Sequence, residues 1–303
     1  MAISIDTKNP PTDEAILEPS PWALMRKRTF GHVGLLLGGG VLIAIVLMAF
    51  FAPMLAPYDP LDQDLTQRFI PPIWHAKGTW AHIFGTDAFG RDYLSRIIYG
   101  SQVSLIIGLA AMVISGVIGT VLGICAGYFG GRVDMVVTFL ITIRLALPAM
   151  LVALAVVALV GGSLNTVIWV IGLIIWDRFA VVMRSTTQQI RNLDYVAAAQ
   201  AAGCSVFRIL FSEIMPNVLN ALIVVATLEV AHAILLEAAL SFLGLGVQPP
   251  TPSWGLMVAE GKGFMLFKPW VIAIPGTALF ILILAINLLG DGIRDVTAPE
   301  GRN

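Results

Sequence analysis

Residues 194–216 read Asp-Tyr-Val-Ala-Ala-Ala-Gln-Ala-Ala-Gly-Cys-Ser-Val-Phe-Arg-Ile-Leu-Phe-Ser-Glu-Ile-Met-Pro, an amphipathic stretch set between two hydrophobic spans. Five small residues, Ala197, Ala198, Ala199, Ala201 and Ala202, keep a first helix narrow, and Gly203 permits a sharp turn. Val206, Leu210, Phe211 and Ile214 then give a second helix an apolar stripe. A helix-turn-helix of this shape fits the cleft of a partner protein.

Outward from this stretch the chain is built for a bilayer. Of its 303 residues 57% are hydrophobic and 12% charged, against about 25% charged in an ordinary soluble domain. Six stretches reach the roughly 20 apolar residues that a membrane helix requires, at about 31–53, 102–127, 135–160, 165–183, 219–243 and 270–290. The expected fold is therefore all-α with six transmembrane helices. Twelve of the eighteen Lys and Arg fall on the side that holds the N-terminus, so the positive-inside rule puts both termini and the 194–216 loop in the cytoplasm. Residues 1–29 are polar, interrupted by prolines and closed by Arg26-Lys27-Arg28, which predicts a cytoplasmic tail rather than a cleaved signal peptide. The remaining expected segments are a first membrane helix with an outer loop at 30–101, a membrane core at 102–290 with its cytoplasmic loop at 184–218, and a tail at 291–303. A net charge of −1 gives nothing that suggests a nucleic-acid partner, and none is expected; Cys125 and Cys204 suggest neither a disulfide nor a metal site.

Within this frame several residues ask for a role. Gly119, Gly123 and Gly127 recur every fourth residue in the second span, with Gly116 nearby, and predict close packing against another helix of this chain or of a second subunit. Pro148 and Pro275 predict kinks or local unwinding in the third and sixth spans. Ionisable residues are costly inside a membrane, so Arg144, Glu229, His232 and Glu237 are candidates for a polar translocation path. Glu229 and His232 are three apart and share a helix face, while Glu237 lies near enough to the outer end to be wet. In the outer loop, Asp87, Arg91, Asp92 and Arg96 alternate in sign. They read either as a solvated, salt-bridged loop ordering the helix ends or as a contact surface for an extracytoplasmic partner.

The 194–216 stretch resembles the EAA motif of ABC importer permeases at Ala198, Ala199, Gly203 and Pro216, with departures at Ala197, Glu213 and Met215. Other motifs stand in the order found in one class: Gly85-Thr86-Asp87, Gly90-Arg91-Asp92, Ala126-Gly127-Tyr128-Phe129-Gly130-Gly131, the turn from Leu240 through Gly244, Gly246 and Pro249-Pro250 to Trp254-Gly255, and Asn287-Leu288-Leu289-Gly290-Asp291. Over about residues 20–300 the chain is similar to C-type permease subunits of the dipeptide, oligopeptide and nickel import class. That resemblance implies a type I importer fold whose coupling helix is 194–216, with Ala198, Ala199, Gly203, Val206, Phe207 and Pro216 at the ATPase contact. It also implies the partners: a B-type permease subunit, two ABC ATPase subunits, an extracytoplasmic substrate-binding protein and the surrounding membrane lipid.

No nucleotide site is expected in this chain. The nearest approach to a phosphate-binding loop, Gly255 to Gly263, has its first glycine one residue too far away and lacks Ser or Thr after Lys262. ATP and Mg therefore belong to the partner subunits, and the chain is not an enzyme. The implied solute is a peptide, with a nickel chelate, glutathione or a sugar-like compound as alternatives. A secondary transporter relaying protons through Glu229, His232 and Glu237 is the remote rival.

Overall fold

The computed structural model describes residues 28–297, so most of the 1–29 tail and residues 298–303 lie outside the described part. The framework is helical: α1 (Val33–Phe50), α2 (Tyr93–Phe129), α3 (Gly131–Ala146), α4 (Ala149–Val160), α5 (Leu164–Arg191), α6 (Asp194–Ala201), α7 (Val206–Phe242), α8 (Trp254–Gly261) and α9 (Trp270–Thr297). Five of these are long and apolar enough to cross a membrane alone, and α3 with α4 makes a sixth, bent span. Several helices outrun the spans expected of them. α2 begins at Tyr93, so the segment boundary at 101/102 falls inside a continuous helix, and α9 carries the chain past 290/291 to Thr297.

Asp92 starts α2, its carboxylate accepting from the Ser95 amide at 2.7 Å, which satisfies one of the donors that a helix start leaves open. The glycine ladder lower in α2 is the seam against α5 of the same chain. A Cβ at Gly119 would come within 2.3 Å of the Trp176 carbonyl oxygen, and one at Gly123 within 2.7 Å of that of Ala180. One at Gly127 would meet Thr187 Cβ at 2.6 Å. α1 lies along α9 in the same manner, through Gly38 against the Ala285 carbonyl and Gly292 against Leu35. Nε2 of His32, the residue that caps α1, lies 3.1 Å from Asp295 in the last turns of α9. The beginning of α1 and the end of α9 therefore share one face of the molecule.

Pro148 breaks its span as expected, whereas Pro275 leaves its helix uninterrupted. Between α3 and α4 the chain turns by 82°: Leu147 is extended, as a residue before proline prefers, and Pro148 opens α4. Arg144 covers the exposed backbone there, donating to the Leu147 carbonyl at 3.1 Å and to that of Ile174, next to an interruption of α5 at Ile175. Buried Asp177 follows in the first turn after that interruption, where a helix start favours a carboxylate. Pro275 sits inside a continuous α9. Its missing N–H deprives the Val271 carbonyl of a helical donor, and the buried Tyr93 hydroxyl donates to that oxygen instead.

The outer loop is not the solvated one that its charges suggested. Asp87, Arg91 and Arg96 are buried and form a neutral cluster with Glu260 of α8. Arg91 Nε lies 2.6 Å from Asp87, Arg96 Nη1 also reaches Asp87, and Arg96 Nη2 is 2.8 Å from Glu260 as an ion pair without hydrogen-bond alignment. Separately, Asp92 meets His82 Nδ1 at 2.9 Å. Tyr93, Ile97, Val230, Ile234, Trp254, Met257 and Leu282 fill the core beneath, joining α2, α7, α8 and α9.

The α2–α5 seam has a direct test. Gly123→Val forces a side chain into the Ala180 backbone and destabilises the protein by roughly 1–3 kcal/mol through overpacking. Gly40→Ala in α1, where nothing lies within 4 Å of the added carbon, leaves the unfolding midpoint unchanged or raises it. Thermal unfolding of the purified protein in detergent, followed by tryptophan fluorescence, compares the two. Equal midpoints would remove the seam from the account.

Candidate functional site

Two regions hold the residues singled out by sequence: the α6–α7 turn, and polar side chains within the membrane. At the turn, α6 is pinned by Val196, fully buried among Met183, Ile190, Ile209 and Ile214. The helix ends in a Schellman motif: the Gly203 amide donates to the Gln200 carbonyl at 3.0 Å and the Cys204 amide to that of Ala199 at 3.1 Å. Gly203 carries the required positive φ, +76°. Ala199 and Cys204 both pack on the buried cluster. Ser205 then caps the next helix, its hydroxyl accepting from the Arg208 amide.

The second half of this hairpin is not a separate helix but the first turns of α7, with Pro216 exposed inside it. Nor is its apolar stripe the predicted one. Ile209–Ile214 is π-helical, with the Met215 amide donating to the Leu210 carbonyl five residues back. The extra residue shifts the phase of the helix, so Ile209 and Ile214 face the core while Val206 and Phe211 face outward. Phe207, 71% exposed, pairs its ring with Phe211 at a centroid distance of 4.4 Å. Together with exposed Ala198 and Gly203 and half-buried Ala199, these side chains make a small-residue floor beside an aromatic knob.

Of the four intramembrane candidates, only Glu229 and His232 are brought together. Glu229 is 1% exposed. One of its oxygens accepts from Arg178 Nη1 of α5 at 3.3 Å, and the other lies 3.2 Å from His232 Nδ1. Arg178 is a site residue that the sequence did not single out. No spacing rule could pair it with a residue 51 positions away in sequence.

Glu237 is a separate, structural group, not the wet one expected. It is 1% exposed and accepts from the Ser241 hydroxyl at 2.8 Å and the Ser253 hydroxyl at 3.0 Å, tying the start of α8 to α7. Gly255 leaves room for this carboxylate, since a Cβ there would meet Glu237 Oε2 at 2.7 Å. Arg144 serves the helix breaks described above. Among the described residues, no cluster of His, Cys, Asp and Glu has the makings of a metal site.

The chain matches the model of the binding-protein-dependent transport system inner membrane component over residues 119–302, and that of the N-terminal transmembrane domain of oligopeptide transport permease C over residues 20–72. It is 42% identical to the di/tripeptide transport system permease of Pseudomonas aeruginosa, covering 97% of each chain. It is 39% identical to the dipeptide transport system permease of Haemophilus influenzae, covering 88% of this chain and 90% of that one. An inward-facing structure of the MetNI methionine ABC transporter shares the fold, with a TM-score of 0.55 and 17% identity over 67% of this chain and 97% of that one.

The division between Glu237 and the Glu229 pair is measurable. Glu237→Ala strands two buried serine hydroxyls and opens a void, a loss of roughly 2–4 kcal/mol. Glu237→Gln keeps an acceptor oxygen and most of the stability. His232→Ala, at a half-exposed side chain, changes stability by less than about 1 kcal/mol. Chemical denaturation in mixed micelles ranks the three, and a His232→Ala loss as large as that of Glu237→Ala would contradict the assignment.

Proposed function

Because the chain belongs to the family of binding-protein-dependent transport system inner membrane components, we propose that it is one half of the translocation path of an ATP-driven importer of di- and tripeptides. As a multi-pass inner-membrane permease of an ABC importer it works with a second permease, ATPase subunits and a binding protein. The finer reading pairs it with a B-type permease in a heterodimer, with ATP and Mg held by two ATPase subunits. The binding protein delivers solute on the outer face, and both termini are cytoplasmic. The peptide assignment is supported by the names of relatives similar over nearly the whole chain.

The observation that carries the mechanism is the continuity of α7. One helix runs from the exposed Val206–Phe207 turn, through the π-helical stretch, to Glu229 and on to Glu237. From Phe207 to Glu229 is about 33 Å at 1.5 Å per residue, so a push on the turn reaches the middle of the membrane along one element. In this reading the 184–218 segment is the coupling loop. Ala198, Ala199 and Gly203 let an ATPase approach closely, Val206 and Phe207 fill its groove, and Pro216 lies at the junction with the span. ATP binding draws the ATPases together, the seated turns follow, and the bundle alternates between outward- and inward-open states.

Reconstituted vesicles holding both permeases and the ATPases take up a labelled dipeptide only with ATP inside and binding protein outside. Gly203→Val inserts normally but loses both uptake and the stimulation of ATP hydrolysis by loaded binding protein, because a β-branched residue resists the left-handed backbone. Gly203→Asn, which tolerates that backbone, retains a substantial part of each. Wild-type behaviour of the valine variant would end the coupling assignment. For the topology, a cysteine at Thr251 in intact cells reacts with an impermeant maleimide and Cys204 does not; labelling of Cys204 from outside would invert the orientation.

A further inference from the structure

We propose that Arg178 is a carboxylate-binding site midway across the membrane, and that the carboxylate it takes is the C-terminal one of the transported peptide. This rests on the peptide-import reading above. Arg178 lies near the middle of α5, and its partner Glu229 is about 20 Å from the outer end of α7 at 1.5 Å per residue. The pair is lopsided: the Glu229 side chain is 1% exposed and that of Arg178 57%. A guanidinium this exposed at such depth is not held in hydrocarbon, where a charged side chain is strongly disfavoured. Its surroundings are a wet path or a polar group of another subunit.

The hydrogen bonds then say what the site can read. Glu229 gives one oxygen to Arg178 and the other to His232, and its own charge is sealed beneath them. Arg178 donates through Nη1 alone among the described residues. Its Nε and Nη2 remain free, and these two atoms form the edge of a guanidinium whose parallel N–H groups match a carboxylate in bidentate fashion. Glu229 orients that edge and lowers the charge that would otherwise hold an anion too firmly to release it. A transported carboxylate needs a site of moderate strength.

Arg178 can be read directly in the wild-type complex of both permeases and ATPases, without binding protein. Phenylglyoxal modifies accessible guanidinium groups, and peptide mass spectrometry reports the extent at Arg178. The site is expected to react, and a dipeptide with a free C-terminus is expected to protect it. The C-terminal amide of the same dipeptide should require a concentration at least roughly tenfold higher, as for a site left with unmatched donors. An unreactive Arg178 in the peptide-free complex would mean that a partner subunit's carboxylate already occupies the edge, and would overturn the proposal. Equal protection by acid and amide, or protection by neither, would overturn it as well. Uptake by Arg178→Lys, which keeps the charge but offers no two-donor edge, should fall several-fold while loaded binding protein still stimulates ATP hydrolysis. If the wild-type vesicles took up no peptide at all, the import reading itself would fail, an outcome distinct from a normal wild type beside an unaffected lysine variant.

Discussion

A backbone carbonyl within hydrocarbon has no water to turn to, and where the two span prolines disturb the helical ladder of this protein a side chain takes the freed oxygen. Where Pro275 withholds its N–H, the Tyr93 hydroxyl reaches the Val271 carbonyl. At the 82° turn before α4, Arg144 donates to Leu147 and, across to α5, to Ile174. A further tie of the same kind needs no break: at the start of α8 the Trp254 indole donates to the Ile97 carbonyl inside α2 at 2.8 Å. All but the local Arg144–Leu147 bond also cross between helices, so the groups that make irregular backbone tolerable also hold the bundle together. The bends can therefore be sharp without becoming loose.

How much of this was legible beforehand follows from the range of each interaction. Hydropathy is a local property, and it located all six crossings; periodicity four residues apart is local too, and it found the glycine face now packed on Trp176, Ala180 and Thr187. Pro148 broke its span because the rule for the residue before proline acts on one neighbour. Two of the failures involve distant partners. Glu237 read as wet because Ser253 lies in another element, and Asp87, Arg91 and Arg96 read as solvated because Glu260 is far along the chain. The stripe of Val206, Leu210, Phe211 and Ile214 held at Leu210 and Ile214 but failed at the other two for a different reason: it presumed 3.6 residues per turn, and one extra residue in Ile209–Ile214 leaves Val206 and Phe211 outward.

The two ends of α7 are treated differently. At the inner end the π-helical stretch and the positive-φ glycine leave an exposed turn resting on a modest apolar cluster. At the outer end, Ser241, Ser253 and Glu237 lock α7 to α8, and Trp254 fills the space that Gly100 leaves in α2. Under the proposed coupling, a helix clamped at one end and presented at the other would transmit displacement as a lever does, with the Glu229 region between load and pivot.

The Asp87, Arg91, Arg96 and Glu260 cluster carries a consequence for how this chain can vary over generations. Two acids face two arginines, with Asp87, Arg91 and Arg96 buried and Glu260 a quarter exposed, so the group is neutral as a whole while none of its members is neutral alone. Losing one partner leaves an uncompensated buried charge, a penalty of about 3–5 kcal/mol and a large share of the roughly 5–15 kcal/mol by which folded proteins outlast their unfolded states. Single-step drift at the three buried positions, Asp87, Arg91 and Arg96, is thus costly, while simultaneous replacement of the group by apolar residues is less so. On this physical ground the buried positions are expected to change together rather than one at a time.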